Sequence, residues 1–156
     1  FEHQYEVGDI IVVDDFRGTV TQIGIRTTSI TDTGGNVKII NNSDIRNLIN
    51  RSSDSSFAVC DIGIPYQGCL LRAEEKLAEV LPTLQKEWPE LFQDVPTYLG
   101  VQAMDNANDA VILRISAKVV ERDIYAARRV LNRTLLLAFE EAGIPNPVAE
   151  LKVVKE

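Results

Sequence analysis

Histidine and cysteine are scarce in this 156-residue chain, and with them most of what marks a catalytic or metal centre. One histidine, His3, lies near a terminus that is prone to fray, so a Ser-His-Asp or Cys-His mechanism has no well-held base. Two cysteines, Cys60 and Cys69, are too few for a disulfide framework, and no Cys/His cluster has metal-ligand spacing. Positive charge is also in deficit. Sixteen Lys and Arg face 23 Asp and Glu, a formal charge of -7, which sets the chain against phosphate backbones and anionic headgroups. No apolar run approaches the roughly 20 residues that cross a bilayer, and no basic stretch leads into one as in a signal peptide. The chain starts at Phe1 and not at Met, which predicts further sequence upstream.

What is present is ordinary for a protein with a packed core: 45% hydrophobic and 25% charged residues. From Tyr5 to about Asn50 the sequence reads as short strands. Ile10 to Val13, Gly18-Thr19-Val20 on to Ile30, and Val37 to Ile40 are separated by Asp14-Asp15 and Gly34-Gly35-Asn36, which suit tight hairpins. Strands this short, folded back within some fifty residues, suggest a small barrel that hides its edges by curling. Asn50 to Ser56 is polar and aperiodic, and the domain boundary is placed there. Up to Ser56 there are 5 basic and 8 acidic residues, and after it 11 and 15, so the halves carry -3 and -4. Neither is a basic module.

Beyond the boundary the pattern changes to strand, then helix. Phe57 to Ile64 alternates, while Leu70, Ala73, Leu77, Val80, Leu81 and Leu84 recur at helical spacing. Pro82 is expected to interrupt that helix or end its regular part. Val95 to Met104 and Ala110 to Val120 read as strands joined by a hairpin at Asp105 to Asp109. A last helix follows from about Asp123 to Ala142, with Gly143 as its cap. The order β-α-β-β-α is packed most simply with two helices on one face of an antiparallel sheet. The fold class is therefore α+β: a small Sm-like (SH3-like) β-barrel domain over residues 1–56, a ferredoxin-like domain over 57–145, and a carboxy-terminal strand segment over 146–156. Residues 148–154 alternate but are too few for a lone strand, so they need a partner, possibly in another subunit.

Carboxylate pairs at Asp14-Asp15, Glu74-Glu75 and Glu140-Glu141 read as a turn and as solvated helix faces, because adjacent helical residues point about 100° apart. Arg128-Arg129 reads as a salt-bridged helix face. No glycine-rich loop joins a strand to a helix as a phosphate site requires. No constellation supports an enzyme, and none implies a cofactor or a metal.

Taken in order, Tyr5 to Val12, Gly18-Thr19-Val20 with Ile23, Arg26-Thr27-Thr28, Gly34-Gly35-Asn36, Ile39-Ile40-Asn41-Asn42 and Asn50-Arg51-Ser52 resemble the small-conductance mechanosensitive channel family. The second half is similar to that family's carboxy-terminal cytoplasmic domain. Two positions depart from the family pattern. Asn41 stands where proline is usual, which predicts a looser turn, and Gln67-Gly68 replaces the usual polar residue and Asp at the start of the helix. Residues matching the family motif are Gly8, Asp9, Gly18, Val20, Gly34, Asn42, Asn50 and Ser52. Gly8, Gly18 and Gly34 are read as turn or bulge positions needing no Cβ, and Asn42 and Asn50 as side chains that satisfy loop backbone.

The resemblance implies the cytoplasmic vestibule of a tension-gated channel that releases ions and small solutes on hypoosmotic shock. Membrane helices would precede Phe1, the full-length protein would sit in the inner cell membrane, and this part would lie on its cytoplasmic side. Its partner would be further copies of itself, typically seven, with side portals whose lining the sequence does not assign and a closing barrel built from the carboxy-terminal strands. A charge of -7 repeated around such a ring would concentrate cations at the portals. Two other classes compete. An Sm-like RNA-binding ring needs a basic or aromatic platform, and the first half offers only Phe1, Tyr5 and Phe16 as aromatics with a negative balance, so nucleic acid is not expected as a partner. A non-channel oligomeric scaffold is the other.

Overall fold

A computed structural model describes residues 4–52 and 55–147. Phe1, His3 and the expected strand at 148–154 lie outside the described residues. The chain divides into two compact units, Phe1–Ser56 and Phe57–Glu156.

In the first unit five strands form one sheet: β1 (Ile10–Val13), β2 (Phe16–Ile23), β3 (Thr27–Thr31), β4 (Val37–Asn41) and β5 (Ile49–Asn50). Their order is β4-β3-β2-β1-β5. The β1–β2 hairpin turns on Asp14 and Asp15, whose φ of 49° and 65° are those of the two-residue turn that matches strand twist. Alternation in β1 buries Ile11 and Val13 against Val20, Ile30 and Ile40, with Tyr5 beside them. A shift of register between Val20 and Gln22 bends β2. The expected barrel is not closed among the described residues. β4 and β5 remain as edges, and β5, only two residues long, offers little backbone with which to complete a ring.

The turn after β4 is also tighter than the missing proline suggests. Asn41 stands at φ -64° and ψ 131°, the torsion a proline ring would fix. A one-turn 3-10 segment, Asn42–Asp44, follows it, and the Asn41 side-chain amide donates to Asp44 Oδ2 at 3.2 Å.

The second unit places β6 (Ser56–Pro65), β8 (Ala110–Val119) and β7 (Thr97–Asp105) side by side in that order, with α1 (Leu70–Glu87) and α2 (Ile124–Glu141) packed on them. Alternate β8 residues Leu113, Ile115, Ala117 and Val119 are buried with Leu77 and Leu84 of α1 and Leu131 and Leu135 of α2. Their neighbours Ile112, Arg114, Ser116 and Lys118 are half-buried on the opposite face. Both helices therefore cover one face of the sheet. Phe92, fully buried, seals the core under the loop between α1 and β7.

Pro82 does not stop α1, which runs on to Glu87. The missing N–H leaves the Ala78 carbonyl without its helical donor, but Ala78 and Pro82 are exposed, so water reaches the gap. Further on, α2 ends as the sequence predicts. Gly143, at φ 71°, donates to Glu140 O at 3.0 Å and Ile144 donates to Phe139 O at 2.8 Å, the paired bonds of a Schellman cap. At the start of α1 no side chain caps the first turn; Gly68 at φ 75° reverses the chain and Cys69 occupies the cap position.

Candidate functional site

Six of the eight family-motif residues gather into two polar knots in the first unit. At the first, Gly8 stands at φ 97° and donates to Val20 O, while Val20 N–H donates back to Asp9 O, both at 2.8 Å. Asp9 Oδ2 accepts from Glu6 N–H at 2.9 Å and from Asn50 Nδ2 at 3.0 Å. The same Asn50 amide reaches Gln4 O at 3.1 Å, and Asn50 Oδ1 accepts from Ser52 N–H at 3.0 Å. Ser52 Oγ in turn accepts from Ile10 N–H. Gly8, Asp9, Val20, Asn50 and Ser52 thus lock the start of β1 to the edge strand β5, which two residues of ladder alone would hold poorly.

The second knot is built on Asn42. Its amide donates to Gly24 O at 2.9 Å and Ile25 O at 3.3 Å, and its backbone N–H to Arg26 O at 2.8 Å, so it fixes the β2–β3 turn. Asn42 Oδ1 accepts from Thr28 Oγ1 at 2.6 Å. That uses the only Thr28 hydroxyl proton, so Tyr5 O–H is the donor in the 3.0 Å bond to Thr28 Oγ1. Thr28 is fully buried and Tyr5 nearly so. Sequence reasoning places Tyr5 and Thr28 in the motif series but not in this relay. The available signal is a threonine at an inward-facing strand position one step from Ile30.

Gly18 and Gly34 stand apart from both knots. Gly18 lies within β2, where a Cβ would come to 2.9 Å from Thr31 O. Close approach of β3, and not a turn, demands glycine there. Gly34 is in the β3–β4 turn, where its N–H and that of Asn36 both donate to Asp32 Oδ1, at 3.0 and 2.8 Å. Bonds from Asn36 hold the Asp32 carboxyl below its ordinary range.

What these residues do chemically is hold loops and edges in position. Among the described residues no three His, Cys, Asp or Glu side chains gather as a metal site, and no helix is long and apolar enough to cross a membrane. Burial pushes the Cys60 thiol up to about 11, far from a reactive thiolate, and its Sγ lies 2.9 Å from Asn132 Oδ1. Sheet edges are among the surfaces that remain open. β4 exposes Val37 and Ile39, β5 exposes Ile49, and β7 exposes Leu99, Val101 and Met104. Unpaired backbone beside exposed apolar side chains is a template for another strand.

Comparison with known proteins agrees with the ordered motifs. Residues 1–53 match the family described as mechanosensitive ion channel, beta-domain. Over 154 residues the chain is 28% identical to a small-conductance mechanosensitive channel of Caldanaerobacter subterraneus subsp. tengcongensis, covering 99% of this chain and 54% of that protein. It is 26% identical over 145 residues to the uncharacterized MscS family protein YfkC of Bacillus subtilis, covering 87% of this chain and 52% of that one. The chain therefore spans about half the length of the curated relatives it matches. Its fold is similar to Helicobacter pylori MscS in the closed state, with a TM-score of 0.82 at 18% identity over 99% of this chain and 60% of that one. Arabidopsis thaliana MSL1 is similar as well, with a TM-score of 0.66 at 15% identity over 94% of this chain and 54% of that one. The first unit thus resembles the mechanosensitive channel β-domain, the whole chain is similar in sequence to a small-conductance mechanosensitive channel, and its mixed α+β fold is similar to that of the MscS structure.

Proposed function

We propose that this chain is the cytoplasmic vestibule part of a tension-gated channel of the inner cell membrane, which releases ions and small solutes on hypoosmotic shock. The observation that carries the reading is a likeness running through 99% of the chain to a small-conductance mechanosensitive channel, of which the chain matches 54%. In this reading the first unit is an Sm-like ring module whose edges β4 and β5 meet neighbouring copies. The second is a ferredoxin-like wall module, since the order β6-β8-β7 leaves beside β6 the place of a fourth strand. Asp9, Asn42, Asn50 and Ser52 serve by fixing the edges that neighbours must match, and residues 148–154 supply the strands that close the base.

A chimera tests this directly. The membrane part of the Caldanaerobacter relative, joined ahead of residue 1, should assemble in the membrane and pass current under applied tension. A chimera that reaches the membrane as an oligomer but stays silent up to the lytic tension would sink the proposal.

A further inference from the structure

The chain's one tryptophan stands where α1 gives way to the loop before β7. Trp88 closes the helix with a backbone bond to Leu84 O at 2.9 Å, yet the residue remains 47% exposed. Beside it runs a groove of about 530 Å³ between that loop and the first half of α2. Leu91 and Val130 line its apolar part, Glu87, Glu90 and Asp123 add three carboxylates, and no basic residue lines it. Asp123 holds the cap position of α2, but its side chain makes no capping hydrogen bond. None of the three carboxylates is ion-paired with another described residue.

We propose that this groove binds a small organic ammonium ion. An indole face attracts a cation that carries no tightly held water, and the apolar part of the groove takes the alkyl groups around the charge. Three carboxylates among its lining residues give the groove a negative field that favours a cation. An inorganic cation of equal charge would gain the field but not the apolar contact, and a neutral molecule of equal shape the contact but not the field. Charge complementarity thus selects one class of occupant. This inference does not depend on channel activity.

Because Trp88 is the sole tryptophan, its emission reports on the groove directly. The 156-residue chain is titrated with choline chloride and with tetraethylammonium chloride, sodium chloride holding ionic strength constant, and separately with 3,3-dimethylbutan-1-ol, the neutral isostere of choline. Both cations should give a saturable change, with the neutral isostere at least about tenfold weaker. Asp123→Asn and Glu90→Gln should each weaken choline several-fold and leave the neutral isostere unchanged. By calorimetry Trp88→Leu should lose choline binding and Trp88→Phe should largely keep it. Circular dichroism confirms the fold of each variant, and the carboxylate variants decide the matter if Trp88→Leu does not fold. The proposal is overturned if the cations give only the unsaturated drift of a sodium chloride control, if the neutral isostere binds as tightly as choline, or if folded Trp88→Leu binds choline unchanged.

Discussion

Asn41 already has the backbone of the residue it replaces. Its φ of -64° is proline's, and its own N–H points away from β3, because the neighbouring Asn42 N–H is the one bonded to Arg26 O. Asn41→Pro therefore loses no sheet hydrogen bond and narrows the unfolded ensemble. It should stabilise the first unit by about 0.4–1 kcal/mol, read as a higher urea midpoint at unchanged slope. The departure from the family motif was visible in the sequence, but its consequence was not, since torsion is set here by the turn that Asn42 pins from the far side. A second prediction rests on Asp61, whose carboxylate takes two 2.8 Å bonds from the Arg114 guanidinium on the sheet face away from the helices. Those bonds hold its carboxyl below the ordinary aspartate range. A depressed carboxylate contributes stability above its unfolded pKa and loses it as pH falls through the folded one, so the loss lies below about pH 4. Asp61→Asn should be less stable than the native chain at pH 7 and converge toward it as the pH is lowered below about 4 in parallel urea titrations. A constant gap across that range would show that the ion pair contributes nothing through ionisation.

At the scale of elements, periodicity and turn chemistry identify most strands and both helices, because those signals are local. The apolar stripe of α1 and the Gly143 stop of α2 needed no tertiary information. Pro82 is different. Its local cost in a helix is about 3 kcal/mol, whereas Leu77, Leu81 and Leu84, all buried on the same stripe, each contribute roughly 1.5–3 kcal/mol by leaving water. Burial wins, and the helix continues through the proline. The Thr83 hydroxyl, bonded to Val80 O at 2.6 Å, satisfies another carbonyl of that turn. Pro82→Ala should accordingly stabilise the second unit by up to about 3 kcal/mol, with greater helical ellipticity. No gain would mean that α1 is bent there to fit its neighbours. Sheet order was beyond local reading for a related reason: β7 and β8 have similar composition, and only the assembled sheet makes β8 central and leaves β7 an exposed edge. The polar knots were half readable. Asn50 and Asp9 stand 41 residues apart, and nothing in the sequence pairs them until β5 lies against β1.

For the whole molecule the decisive fact is that two sheets end in edges that the chain does not cover among its described residues. Such edges expose Val37, Ile39, Leu99 and Met104 beside unpaired backbone, and a cyclic assembly would remove them from water together. Opposing this is a charge of -7 on every copy, a repulsion that salt screens, with a Debye length of about 10 Å at 0.1 M. Two dependences follow if copies of the 17.3 kDa chain form the proposed ring. Native mass should rise with concentration toward about 121 kDa for seven copies, and the concentration at half-assembly should fall as salt is raised. Removing residues 148–156 should shift the population toward smaller species if those residues close the base. Native mass spectrometry and sedimentation velocity read all three changes on the same sample. If the full chain stays monomeric at every concentration and salt, the assembly energy lies in the membrane part that the proposed function requires, and the edges are covered by something other than this chain. If it forms a ring that truncation leaves intact, the edges ahead of residue 148 drive assembly and the closing-strand role of the tail is lost.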